Sequence, residues 1–163
     1  MAGVVFDSTF LIDLLNPKLG GDKRIALDFL VTELSKARTR ILIPTPCLTE
    51  LLIRAASARD QYLKLLTSNT AFEIIPYDQR AATECALLLE QAWDSKSQKA
   101  VTHTKFKFDW MIVARAVSRN ATSLYSDDGD ILRCSAQVKI QTIKQSELPI
   151  PPESRQIRIP GNS

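Results

Sequence analysis

The sequence has few of the side chains on which many enzymes and metalloproteins depend. Its 163 residues include one histidine, His103, and three cysteines, Cys47, Cys85 and Cys134, which are far apart and lie among apolar neighbours. One histidine cannot build a histidine-rich metal site. An odd number of scattered cysteines argues against a disulfide framework and against a zinc site. We therefore expect buried, reduced thiols and a cytoplasmic protein.

Long apolar runs are also absent. No stretch approaches the roughly 18 apolar residues that span a bilayer, and the apolar run near the N-terminus, residues 4–6, is too short for a signal peptide. We expect no membrane association. A hydrophobic content of 45% and a charged content of 24% are typical of an ordinary globular domain. The net charge of +3 is compatible with a nucleic acid partner but does not argue for one.

The stretch from Val4 to Leu15 carries the first functional signal. Three apolar residues lead into Asp7, two hydroxyl residues follow, and an apolar pattern at helical spacing comes next. This pattern predicts a buried strand, a tight turn and a helix, with Asp7 at the carboxyl end of the strand. Ligands of open parallel α/β sheets bind at that end, and a carboxylate buried there needs a cation or hydrogen-bond donors. The alternative is that Asp7 merely helps to cap the helix.

The rest of the chain alternates between strands and helices. Further strands are predicted at residues 41–43, 72–75, 122–125 and 138–143, and helices at residues 22–38, 46–58, 60–68, 78–94 and 109–119, with one helical turn at 131–134. This alternation predicts an α/β protein, a single three-layer α/β/α domain over residues 1–144 with a five-stranded parallel sheet. Residues 95–107 read as a polar loop. The proline-rich residues 145–163 read as an extended or disordered tail.

Two acids lie on predicted helices. Asp109 begins the helix at 109–119 and shares a face with its apolar stripe, where a carboxylate needs a partner. Glu50 lies in the second turn of its helix, within the otherwise apolar segment 47–53. The alternative for Glu50 is an ordinary ion pair with Arg54, four residues further along the helix.

A third group of acids follows the fourth predicted strand. This group consists of Asp127, Asp128 and Asp130, and Ser126 precedes it. The alternative is an ordinary turn, because Asp-Gly is common in turns. If the strands are parallel and adjacent, these acids meet Asp7 at one edge of the sheet. Carboxylates in one pocket repel one another unless a cation is present, and an all-oxygen site suits Mg²⁺ or Mn²⁺. Such a site supports phosphoryl transfer or phosphodiester hydrolysis.

Four stretches of this sequence resemble, in order, the motifs of the PIN domain, the metal-dependent ribonuclease fold of the VapC toxins. They are residues 7–15, 46–51, 109–116 and 124–131, and the resemblance covers about residues 3–143. It implies that Asp7, Glu50, Asp109 and Asp128 are the catalytic and metal-binding acids, with Asp128 preferred over Asp127.

The same resemblance implies an activity and partners. It implies cleavage of single-stranded RNA that depends on Mg²⁺ or Mn²⁺, a homodimer, and a small antitoxin protein as partner. Secondary candidates for the site are Thr9, Ser126, Asp127 and Asp130. A toxin of a type II toxin–antitoxin pair is therefore the expected role.

Basic and aromatic residues alternate just before Asp109. Lys105 and Lys107 are interleaved with Phe106 and Phe108, a pattern that would hold an RNA backbone and stack a base. The alternative is a solvated surface loop whose phenylalanines anchor in the core.

Other functional classes fit less well. A receiver-type signalling domain would need an aspartate just after the third strand, where this chain has Pro76 and Tyr77. A phosphatase of the HAD type would need an acid where Thr9 stands. A catalytically silent PIN-fold module that binds RNA or protein remains the alternative function, although all four acid positions are filled.

Overall fold

The computed structural model describes residues 3–93 and 103–155. The strands are β1 (Gly3–Phe6), β2 (Arg40–Pro44), β3 (Phe72–Ile75), β4 (Ser123–Tyr125) and β5 (Gln141–Ile143). The helices are α1 (Ser8–Leu15), α2 (Gly21–Lys36), α3 (Thr45–Ala55), α4 (Arg59–Ser68), α5 (Gln79–Trp93), α6 (His103–Ser118), α7 (Gly129–Gln137) and α8 (Pro152–Arg155). Single 3₁₀ turns lie at Ala56–Ala58 and Gln145–Glu147.

The five strands form one parallel sheet in the order β3-β2-β1-β4-β5. The chain runs outward from β1 through β2 to β3 and then returns to the other side of β1 for β4 and β5. The direction reverses between β1 and β4, where Phe6 pairs with Tyr125. Such a reversal opens a crevice at the carboxyl ends of the two strands, and ligands of α/β proteins bind in crevices of this kind.

The core surrounds the central strand on both faces. All four residues of β1 are buried, and because successive side chains of a strand point to opposite faces, both faces of β1 are covered. The rings of Phe6, Phe10 and Tyr125 lie 5.1–5.4 Å apart between centroids and hold the start of α1 against β1 and β4. The predicted α/β class with a five-stranded parallel sheet is confirmed. Within residues 3–93 and 103–155, no helix is long and apolar enough to cross a membrane.

The helix that carries Asp109 begins earlier than predicted. Helix α6 starts at His103, so Asp109 lies in its second turn and not at its first residue. Residues 103–107, predicted as part of a loop, are helical. Their run of basic residues lacks an apolar stripe, and the helix forms because its continuation packs against α5 and α7. Residues 95–102 of the predicted loop lie outside the described residues.

The segment after β5 packs on the domain. Gln145 is buried and Leu148 lies against the hydrophobic core, so the packed structure continues beyond the predicted boundary at residue 144. Residues 152–155 form the short helix α8 rather than an extended chain. The rest of the predicted tail, residues 156–163, lies outside the described residues.

Candidate active site

Asp7 lies at the point where the sheet reverses direction. It follows β1 directly and caps α1, because its Oδ1 accepts hydrogen bonds from the backbone N–H groups of Thr9 at 3.0 Å and Phe10 at 3.3 Å. The Thr9 hydroxyl donates to the same oxygen at 2.6 Å. The side chain is almost fully buried. Asp7 therefore serves as a helix cap, as the alternative interpretation held, and also places a buried carboxylate in the crevice.

The second oxygen of Asp7 is held from the neighbouring strand. Ser126 follows β4 directly, and its hydroxyl donates to Asp7 Oδ2. Parallel pairing continues past the strand ends, since the Asp7 N–H donates to the Tyr125 carbonyl at 3.1 Å. The Ser126 oxygen also accepts the N–H of Asp128 at 3.0 Å. Strand pairing thus fixes the turn after β4 against the carboxylate.

Burial makes the Asp7 carboxylate costly to ionise. Desolvation raises its pKa from 3.8 to about 6, although the hydrogen bonds from Ser126, Thr9 and Phe10 act to lower it. A nearby cation would favour the ionised form by direct attraction. Hydrogen-bond donors therefore hold the carboxylate in one orientation, and burial makes its negative charge costly.

Glu50 comes close to the start of α1 from helix α3. It lies half-buried in the second turn of α3, and the Ser8 hydroxyl donates to its Oε2. Among the described residues, Glu50 contacts Ser8 and forms no ion pair with Arg54. The alternative interpretation, an i, i+4 ion pair with Arg54, therefore does not describe the contact of this acid.

Three of the predicted acids lie near the same buried thiol, that of Cys47. This thiol is fully buried in α3, and burial raises its pKa well above the ordinary value. The negative charges of Asp7, Glu50 and Asp109 raise the thiol pKa further, so all three lie within electrostatic reach of it. Asp109 itself is buried in α6, which contacts α3.

The acids after β4 have different contacts. Asp128 is half-buried and caps α7, with its Oδ1 accepting the N–H of Asp130 at 2.8 Å. Asp130 pairs with Arg133. Asp127 is exposed, and its backbone N–H donates to the Thr9 hydroxyl at 3.0 Å. The turn therefore links to Asp7 through both Ser126 and Thr9.

The donor chemistry of this region fits a hard divalent cation. Carboxylate and hydroxyl oxygens surround Asp7, and such ligands suit Mg²⁺ or Mn²⁺. Within the described part of the chain, no three histidine, cysteine or acidic side chains lie close enough together to hold one ion. Asp7, Glu50 and Asp109 thus share a neighbourhood without forming a closed cage.

The basic residues before Asp109 are only partly described. The Lys107 side chain is exposed, and Phe108 packs against the core as the alternative interpretation expected. The side chains of Lys105 and Phe106 lie outside the described residues.

Two residues of the site region were missed by the sequence interpretation. Ser8, which holds Glu50, belongs to the first motif but was not chosen as a site residue; its hydroxyl beside Asp7 was the available signal. Gln145, which hydrogen-bonds to Asp127, lies in the predicted tail, and nothing in the sequence pointed to it.

No family model and no curated protein matches the chain. Several solved structures resemble it, among them three that contain a VapC protein. VapBC2 from Rickettsia felis, bound to a DNA fragment from its promoter, has a TM-score of 0.60 at 17% identity, over 87% of this chain and 98% of that chain. DNA-bound VapBC from Salmonella typhimurium has a TM-score of 0.59 at 18% identity, over 89% and 99%.

The third structure is VapC20 from Mycobacterium tuberculosis, described as a toxin that cleaves the sarcin-ricin loop. Its TM-score is 0.55 at 12% identity, over 80% of this chain and 93% of that chain. At such identities the similarity establishes the fold. The chain has the PIN-like fold of VapC toxins, which confirms at the level of the fold the resemblance that its four motifs predicted.

Proposed function

We propose that the chain is an endoribonuclease of the VapC type, which uses Mg²⁺ or Mn²⁺ to hydrolyse phosphodiester bonds of single-stranded RNA. The buried Asp7 carboxylate at the switch point of the sheet is the observation that carries this proposal. A protein tolerates the cost of burying such a charge where a cation or a reaction needs it. The similarity of the fold to VapC20, a toxin that cleaves the sarcin-ricin loop, supports a nuclease.

Four acids would hold the metal in this proposal: Asp7, Glu50, Asp109 and Asp128. When bound, the metal would polarise the scissile phosphate and lower the pKa of an attacking water. The chain itself supplies the orientation, because Thr9 and Ser126 fix the two oxygens of Asp7.

Neighbouring groups would complete the site. Ser8 fixes Glu50 from the first turn of α1. We assign attraction of the RNA backbone to Lys107, whose side chain is exposed, and to Lys105 from the sequence alone. In this proposal Ser8 orients an acid, and the two lysines orient the RNA.

Partners follow by analogy with the structural neighbours. Two of those structures are VapBC assemblies bound to DNA. We propose that this chain likewise assembles with a small antitoxin protein. From the sequence alone we also propose that it forms a homodimer and acts in the cytoplasm. Co-expression with a small reading frame found next to the gene, followed by purification through a tag on one chain, tests the antitoxin partner.

Cleavage of labelled single-stranded RNA tests the function. Wild-type protein is compared with Asp7→Asn and Asp109→Asn in Mg²⁺, in Mn²⁺ and in EDTA. The exposed Asp60 of α4 provides the control variant Asp60→Asn. We expect cutting that requires metal, falls at least about a hundredfold in both site variants and persists in the control. Cutting that survives EDTA, or that survives both site variants, would contradict the proposal.

A second candidate is a catalytically silent PIN-fold module that binds RNA or protein. It is favoured by the finding that, among the described residues, no three metal-binding side chains are already close enough to hold an ion. Folded wild-type protein that binds the RNA in a gel-shift assay, and cuts it in neither metal, would establish this alternative.

A further inference from the structure

Gln145 joins the segment after β5 to the helix that carries the site. Its side-chain Nε2 donates to Asp13 Oδ2, in the last two turns of α1, at 2.8 Å. Its backbone N–H donates to Asp127 Oδ1, also at 2.8 Å. The residue is buried, with 8% of its surface exposed. One residue of the 3₁₀ turn therefore contacts two carboxylates on two separate elements.

Asp127 continues this connection to the buried carboxylate. The Asp127 N–H donates to Thr9 Oγ1 at 3.0 Å, and that hydroxyl donates to Asp7 Oδ1 at 2.6 Å. A hydrogen-bonded path thus runs from Asp13 through Gln145, Asp127 and Thr9 to Asp7. It begins on α1, passes through the turn after β4 and ends at Asp7, the residue that caps α1.

The two adjacent aspartates of that turn have different surroundings. Asp127 is exposed, and one of its carboxylate oxygens accepts a backbone N–H from Gln145. Asp128 is half-buried, and its own N–H donates to Ser126, which holds Asp7. Asp127 needs only an acceptor oxygen for its contact. A carboxylate that binds a divalent cation also contributes its negative charge, so the neutral amide of asparagine is a weaker substitute for it.

We propose that Asp127 and Gln145 are positioning residues of the nuclease site and not metal ligands. Gln145, anchored on Asp13, holds Asp127, and Asp127 holds the turn at residues 126–128 against Thr9. This assignment rests on the proposed function. Groups that orient metal ligands from outside are typically worth about 10-fold to 100-fold in metal affinity or activity.

Variants of the two neighbouring aspartates separate a positioning role from a ligand role. Asn at position 127 keeps the acceptor and removes the charge, whereas Ala removes both. By calorimetric titration with Mn²⁺ alone, we expect Asp127→Asn to bind within about threefold of wild type. Asp127→Ala and Asp128→Asn should each bind at least about tenfold more weakly. Equal loss in Asp127→Asn and Asp128→Asn would overturn the assignment, because charge at position 127 would then be required.

Variants of the anchor test the role of Gln145. Gln145→Leu removes the side-chain donor to Asp13 and keeps the backbone N–H that donates to Asp127, so it tests whether the anchor on Asp13 is needed. Gln137→Leu, at an exposed residue of α7, is the matched control. We expect Gln145→Leu to weaken Mn²⁺ binding and to lower kcat about tenfold with little change in the KM for RNA. Asp13→Ala removes the acceptor of the Gln145 side chain, so it should weaken Mn²⁺ binding and lower kcat as Gln145→Leu does. Asp13→Asn keeps an acceptor for Gln145 and should match wild type in both measurements. If Gln145→Leu binds Mn²⁺ and cuts RNA as well as Gln137→Leu does, Gln145 is not a positioning residue.

Amide hydrogen exchange in EDTA keeps this test separate from the nuclease proposal. If Gln145 holds Asp127, the Asp127 N–H should exchange about tenfold faster in Gln145→Leu than in Gln137→Leu. Unchanged exchange would overturn the positioning role whether or not metal binds. Faster exchange in a protein that neither binds Mn²⁺ nor cuts RNA would instead refute the nuclease function and support the hydrogen-bonded path.

Discussion

Replacing Asp7 by asparagine is expected to stabilise the metal-free protein at neutral pH. Burial raises the pKa of this carboxyl from 3.8 to about 6. That difference, at about 1.4 kcal/mol per pH unit, corresponds to about 3 kcal/mol of folding free energy that is lost when the folded protein carries the charge. Asparagine keeps the oxygen that accepts hydrogen bonds from Thr9 and Phe10, and it carries no charge.

The pH range of this effect follows from the two pKa values. Below about pH 3.8 the carboxyl is protonated in both the folded and the unfolded chain, so Asp7 costs nothing. As the pH rises towards 6, the unfolded chain releases its proton first, and the wild type loses stability relative to the variant. Above about pH 6 the full penalty is present. The stability difference between Asp7→Asn and wild type should therefore grow between pH 4 and pH 7.

Urea unfolding in EDTA at pH 4, 5, 6 and 7 measures this difference. The free energy of unfolding of Asp7→Asn, minus that of wild type, should increase by about 2.4 kcal/mol between pH 4 and pH 7 and reach about 3 kcal/mol at pH 7. That corresponds to a melting temperature about 6–12 °C higher than wild type at pH 7. Asp60→Asn, at an exposed position, should show no such trend. If the difference in the free energy of unfolding between Asp7→Asn and wild type does not change with pH, burial of the charged Asp7 carboxylate does not destabilise the fold.

Three further predictions concern the support of the site. Arg24 donates to four backbone carbonyls at the end of α1 and in the loop after it, at 2.6–3.2 Å. Arg24→Lys should therefore lower the free energy of unfolding, measured in urea, by about 2 kcal/mol. An unchanged free energy of unfolding would show that these hydrogen bonds do not stabilise the fold. Ala56 ends α3 with φ 48° and ψ −113°, a backbone conformation that favours glycine. Ala56→Gly should therefore raise the free energy of unfolding by about 1 kcal/mol, and a loss would show that the strain is absent. Ser8→Ala removes the donor to Glu50, so single-turnover RNA cleavage should slow about tenfold, and wild-type rates would exclude this role for Ser8.

The fold could be predicted because its signals are local. Strands β1 to β4 contain short apolar stretches, whereas β5 contains a single apolar residue, Ile143. The helices carry apolar stripes, so most of the alternation can be recognised without knowledge of tertiary contacts. The position of Asp7 was predictable for the same reason, since a strand, a turn and a helix lie within residues 3–15. The start of α6 was not predictable, because its first turn has no apolar stripe of its own.

The contacts within the site depend on tertiary structure. Ser8 reaches Glu50 across 42 positions of sequence, and Ser126 reaches Asp7 across 119. The sequence indicated that the acids would meet at one sheet edge, and it contained no information about which hydroxyl would hold which carboxylate. Gln145 lies in a segment that the sequence marks only by its prolines. Its contact with Asp127 forms because the sheet pairs β5 with β4 and so brings the segments that follow the two strands together.

Anomalous diffraction from crystals grown with Mn²⁺ would show whether Asp7 is a metal ligand. We predict one strong Mn²⁺ peak in contact with Asp7 and with at least one further carboxylate from Glu50, Asp109 or Asp128. We also predict that this peak is lost in crystals of Asp7→Asn. If a preparation that cuts RNA shows no Mn²⁺ peak at Asp7 under saturating Mn²⁺, Asp7 is not a metal ligand and the proposed site is wrong.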